Sequence, residues 1–126
     1  MKADIKAKWV AALRSGQYAQ TEGVLRNEEG YCCLGVLCDL YSQEIGVEWF
    51  TQNNEHFTMH GNDNVLPYEV RVWADLPHEH GKYVEVMVDE DGATDPPYPA
   101  HPSLTELNDR WGYDFKQIAE VIEEQL

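Results

Sequence analysis

Positive charge is scarce in this chain, and its distribution is uneven. Nine Lys and Arg stand against 23 Asp and Glu, a formal net charge of −14. Residues 1–40 hold five basic residues (Lys2, Lys6, Lys8, Arg14, Arg26) against five acids, so residues 41–126 hold four against eighteen. An acid excess of that size repels nucleic acid and anionic membrane, which sets both aside as direct partners. Any anionic ligand has to be met by the first forty residues. The plainest effect of the charge is to keep a small domain soluble.

Other things are missing too. No uninterrupted apolar run is long enough to cross a bilayer, and no stretch of signal-peptide type follows Met1-Lys2-Ala3-Asp4, so a cytoplasmic location is expected. There are only three cysteines, Cys32, Cys33 and Cys38, an odd number with two adjacent and all inside one apolar segment. That pattern is no disulfide framework, and the second pair that a zinc site needs is absent. A nucleophilic thiol needs a base or cation beside it, whereas Leu34, Val36 and Leu37 surround these, so buried free thiols are expected. No glycine-rich loop leads from strand to helix, which sets aside Walker-type and dinucleotide sites. We expect no cofactor and no metal, and we find no internal repeat.

Five histidines are present: His56 and His60, His78 and His80, and His101. Two histidines separated by one residue share a face on a strand and can ligate metal when an acid such as Glu79 stands near. His78-Glu79-His80-Gly81 reads as a loop, however, and solvated histidines are the simpler expectation. The carboxylates are too many to sort into an acid and base pair, so no catalytic set is legible and the reading leans away from an enzyme.

What is present fits one domain over residues 1–126, α+β and predominantly helical. Four to five helices and a small antiparallel sheet of two or three short strands are predicted. Residues 4–14 form an amphipathic helix with Ile5, Trp9, Val10 and Leu13 on one stripe, stopped by Ser15-Gly16. Residues 17–30 are an ordered loop. The apolar run Tyr31–Tyr41 (YCCLGVLCDLY) is longer than a usual strand and predicts the central helix, with a buried strand as the competing reading and Gly35 admitting a neighbouring backbone. Residues 47–60 predict a hairpin turning at Asn53-Asn54. Pro67 opens a helix through about Leu76 that Pro77 stops, and the alternation in Tyr83–Val88 predicts a third strand. Residues 89–102 are acidic and proline-rich and predict a surface loop. Ser103-x-x-Glu106 and Asp114-x-x-Gln117 have the form of capping boxes, the second opening a helix with Phe115, Ile118, Ala119 and Ile122 inward.

The candidate ligand-binding residues are Arg14, Gln17, Tyr18, Gln20 and Arg26, with Asn108 and Asp109 as a polar wall. Arginine forks onto phosphate, tyrosine stacks on a base, and the amides bond to base or ribose edges. Each has a simpler role available. Arg14 can cap the first helix, and Arg26 can pair with Glu28 or Glu29.

Several segments carry a resemblance. Trp9-x-x-Ala12-Leu13-Arg14-Ser15-Gly16-x-Tyr18-x-Gln20, Leu25-Arg26 and Tyr31–Cys38 resemble a family of small proteins of tailed bacteriophages and prophages. Leu66-Pro67-x-x-Val70-x-x-Trp73-Ala74-x-Leu76, Leu104-x-x-Leu107-Asn108-Asp109 and Phe115-x-x-Ile118-Ala119-x-x-Ile122-Glu123 agree with it. The resemblance implies a context, since many small accessory phage proteins act on host machinery or host defence, and it brings no catalytic residues with it. The expected function is a small phage-type accessory binding protein that sequesters a nucleotide immune signal or blocks a host defence protein. Its partner is then a nucleotide-type small molecule or a host protein, with a homodimer as the default assembly. The alternatives are an acidic decoy that imitates nucleic acid and a small metal-dependent hydrolase.

Overall fold

The computed structural model describes residues 1–88 and 98–126. Its first helix, α1 (Ala3–Arg14), buries the predicted stripe of Ile5, Trp9, Val10 and Leu13. The indole N–H of Trp9 donates to the Cys33 carbonyl at 2.9 Å, so the largest core side chain brings its one polar atom to a partner. The central helix, α2 (Cys33–Ile45), starts two residues later than the apolar run predicts and ends four later. The late start has a backbone cause. The Tyr31 N–H donates to the Ala19 carbonyl and the Tyr31 carbonyl accepts from Thr21, which holds that residue extended. Cys32 then acts as N-cap, its sulfur accepting from the Gly35 N–H at 3.4 Å. The helix runs on through polar Ser42-Gln43-Glu44 on its solvent side until Gly46 takes a left-handed turn at φ 83°.

Gly35 does what its position in the run predicts. A side-chain carbon there would overlap the carbonyl oxygen of Leu25, so the 17–30 loop lies directly on α2. The Cys32 N–H donates to that same carbonyl at 3.2 Å.

The hairpin pairs β1 (Phe50–Thr51) with β2 (Phe57–Thr58), Phe50 opposite Thr58. Asn54 adopts the left-handed backbone expected of the turn, φ 61°, but five residues separate the strands where Asn53-Asn54 alone suggests a tighter one. Helix α3 (Tyr68–Ala74) follows Pro67 and stops at Asp75, φ 58°, two residues before Pro77. The alternating segment yields β3 (Val86–Val88), with Val84 and Val86 buried and Met87 exposed.

Its partner corrects the sequence reading. β4 (Tyr98–Ala100) lies in the stretch read as loop and pairs antiparallel with β3, Val86 opposite Ala100. Pro99 fits because it stands opposite Met87, between Val86 and Val88, and a lone proline is tolerated in a two-stranded edge. The rest of the expected loop, residues 89–97, lies outside the described residues. Among the described residues the strands also form two separate two-stranded sheets instead of one.

Both capping boxes exist as predicted, Ser103 with Glu106 opening α4 (Leu104–Asp109) and Asp114 with Gln117 opening α5 (Phe115–Gln125). Phe115, Ile118, Ala119 and Ile122 are buried as expected, and Val121 joins them. The described residues thus make an α+β fold of five helices and two small antiparallel sheets. α2 lies at its centre, against α1, α3 and α4, and α1 packs along α5. No helix among the described residues is long and apolar enough to cross a membrane.

Candidate functional site

The 17–30 loop and the residues it touches hold most of the predicted binding groups, but in three separate settings. The first is a buried amide network. Asn108 is 1% exposed. Its Oδ1 accepts from the Gln20 side chain at 2.9 Å and from the Cys33 N–H at 3.2 Å. Its Nδ2 donates to the Thr21 carbonyl at 2.9 Å and to Asp109 Oδ1 at 2.8 Å. That is every bond an asparagine side chain can make. The expectation that Asn108 lines a polar wall is therefore corrected: the amide is sealed in and joins the loop to α2 and α4. Gln20 and Asp109 stand at the edge of the same network, and Gln20 also donates to the Tyr113 carbonyl.

The second setting centres on Asp39, the lone charge in the apolar run. Its carboxylate accepts from the Tyr18 hydroxyl at 2.6 Å, the Trp49 indole at 3.0 Å and the Gln43 amide at 2.9 Å. Burial raises the Tyr18 phenol far above its ordinary pKa, and its bond to Asp39 raises it further. Tyr18 stands edge-on to Tyr31, ring centres 5.0 Å apart, and Tyr31 edge-on to Trp49 at 6.3 Å.

The third is Arg26. Its guanidinium lies 4.1 Å from the ring centre of Phe57, 5.0 Å from that of Tyr31 and 5.5 Å from that of Trp49. Neither Glu28 nor Glu29 pairs with it, and among the described residues no carboxylate comes within ion-pair distance. The guanidinium is thus a half-buried cation held against three aromatic rings.

Tyr18 also lines a cleft of about 270 Å³ between the end of α1 and the start of α5, with Leu13, Gly16, Gln20, Asp114, Phe115 and Lys116. Tyr18, Gln20 and Arg26 are thus neighbours through the Tyr18 and Tyr31 rings. Arg14 is not among them. It pairs with Glu123 at 2.6 Å in the groove between α1 and α5. Gln17 is exposed, its backbone N–H donating to the Ser15 hydroxyl at 3.1 Å.

Sequence pattern alone does not single out Asp39, Trp49, Phe57 or Lys116 as neighbours of the candidate residues. Asp39 had a signal, a single acid in an otherwise apolar helix. Trp49 and Phe57 flank the hairpin turn, but nothing in their spacing tells which way they face.

All three cysteines are free and buried. Burial pushes the Cys32 thiol up to about 12 and the Cys33 and Cys38 thiols well above the ordinary range. His56 pairs with Asp63, His60 lies between Glu69 and the Tyr41 hydroxyl, and His80 meets Thr105. No group of three or more His, Cys, Asp or Glu among the described residues is placed to hold a metal.

One family model, described as a domain of unknown function (DUF8296), matches residues 1–126. The chain belongs to the DUF8296 family. The match covers the Arg26 cluster, the Tyr18 cleft and the Asn108 network alike, so all three lie within the DUF8296 domain. No curated protein and no solved structure matches the chain.

Proposed function

We propose that this chain is a non-catalytic binding module of phage-accessory type, which holds an anionic, ring-bearing small molecule of nucleotide kind and so withdraws a signal of host defence. The observation that carries the reading is the Arg26 guanidinium, seated on Phe57, Tyr31 and Trp49 with no carboxylate partner among the described residues of an acid-rich chain. The ligand's phosphate meets Arg26, and its ring lies against Tyr18 and Phe115 in the adjoining cleft, where Lys116 offsets the charge of Asp114. Three free, buried cysteines accord with work in the reducing cytoplasm of a host cell.

A panel of cyclic nucleotides, cyclic dinucleotides and ADP-ribose-type compounds, read by thermal shift, tests it. A ligand at a hundred times its Kd adds about 2.7 kcal/mol, a rise of roughly 10 °C for a domain of this size. Arg26→Ala is expected to abolish that rise. No rise with any member of the panel at saturating concentration overturns the reading.

A further inference from the structure

The ligand proposed above is anionic, yet the side chains around it hold as much negative charge as positive. The Arg26 cluster and the Tyr18 cleft meet at Asp39. One of its carboxylate oxygens accepts from the Tyr18 hydroxyl at 2.6 Å and the other from the Trp49 indole at 3.0 Å, so a wall of the cleft and a wall of the cluster are held by the same side chain. Its third donor is the Gln43 amide. All three donors are neutral, and among the described residues no cation lies within ion-pair distance of Asp39. Neutral donors orient a carboxylate without cancelling its charge.

That charge reaches the ligand site. The Tyr31 ring is 5.0 Å from the Tyr18 ring and 5.0 Å from the Arg26 guanidinium. Burial raises the Tyr31 phenol above its ordinary pKa, Asp39 raises it further, and Arg26 pulls it back, so the ring lies in the field of both charges. In the cleft, Asp114 stands with Lys116. Arg26 and Lys116 are therefore matched by Asp39 and Asp114, and the 17–30 loop adds Glu22, Glu28 and Glu29, none of them in an ion pair among the described residues. A ligand with one negative charge finds Arg26. Every further charge meets a surface with no cation left to receive it.

We propose that Asp39, with Asp114 acting in the same sense, is a specificity-determining residue of the ligand site: it admits a nucleotide bearing a single phosphodiester charge, such as a cyclic mononucleotide, and turns away nucleoside polyphosphates. This inference rests on the nucleotide reading given above and names the class of nucleotide.

Isothermal titration calorimetry of the full chain, without magnesium, with cyclic AMP, AMP and ATP and the same three forms of the guanine, cytosine and uracil nucleotides tests it. The wild-type chain is expected to bind a cyclic monophosphate at least about tenfold more tightly than the triphosphate of the same base, with the open monophosphate between them. Asp39→Asn keeps the shape and removes the charge, and is expected to narrow that ratio at least about threefold, whereas loss of a purely structural side chain weakens all three forms alike. Asp114→Asn, which retains a good helix cap, is a second variant with the same expected direction. Binding of no form of any base overturns the nucleotide reading and this inference with it. A triphosphate bound at least as tightly as its cyclic form, or a ratio that neither variant narrows, overturns this inference alone.

Discussion

Gln20 and Asn108 are 88 positions apart in the chain and bonded side chain to side chain at 2.9 Å. The contact closes the first loop onto α4, and through the Cys33 N–H the same asparagine oxygen reaches the start of α2. Three segments depend on one amide.

Asn108→Ala is accordingly expected to cost about 3 kcal/mol, because the Cys33 N–H and the Thr21 carbonyl lose their partner in a site that water does not reach. A urea midpoint unchanged from wild type would contradict this. Asn108→Asp separates the geometry from the charge. Its ionised form cannot donate to Thr21 and faces Asp109, so its folded-state pKa is raised and the variant loses stability as pH climbs from 5 to 8.

Gly35→Ala adds one methyl group where the Leu25 carbonyl already sits. The obstacle is backbone, not the end of a flexible side chain, so relief requires α2 and the 17–30 loop to separate. The expected loss is about 3 kcal/mol or a failure to fold. Gly16→Ala provides a comparison, since it meets no neighbour and is strained only by its backbone angle, φ 77°. If Gly35→Ala melts no lower than Gly16→Ala, the close approach is not a determinant of stability.

Alkali should destabilise the protein through its core thiols. Below their unfolded pKa, near 8.5, both states keep the proton and stability does not vary with pH. Above it the unfolded chain releases protons that the buried thiols retain, with Cys32 holding its proton up to about 12. The loss approaches about 1.4 kcal/mol per pH unit for each thiol. Urea midpoints at pH 7, 9 and 10 under reductant are expected to be level at first and then to fall. A flat profile to pH 10 would show that the thiols are solvated.

The same burial predicts slow chemistry. A water-soluble disulfide reagent is expected to label all three cysteines in urea, and in the native state at less than about a hundredth of that rate. Rapid native labelling of Cys32, which lies at the N-terminus of α2, would mean that this helix end opens readily.

The sequence pattern resolved the helices better than the site. Trp9, Ile5 and Leu13 repeat at helical spacing, and Ser103 with Glu106 names its own helix start, because in both cases the deciding interaction is local. The Arg26 cluster depends on Tyr31, Trp49 and Phe57, which come together only after the hairpin has folded back, and no local spacing encodes that. Asn108 misled for the opposite reason. A polar residue near the end of a helix reads as surface, and its burial follows from the loop laid over it. Residues 98–100 misled through composition, since Pro99 argues for a loop until its partner Met87 is seen.

The three rings around Arg26 come from parts of the chain with little else in common: Tyr31 from the approach to α2, Trp49 from the descent to β1, and Phe57 from β2 itself. The guanidinium is thus a rivet through two flaps. Whatever settles on its outer edge tightens both, so occupancy there should be audible at a distance as slower amide exchange in the hairpin and in the 17–30 loop together, and loss of the arginine should set both moving at once.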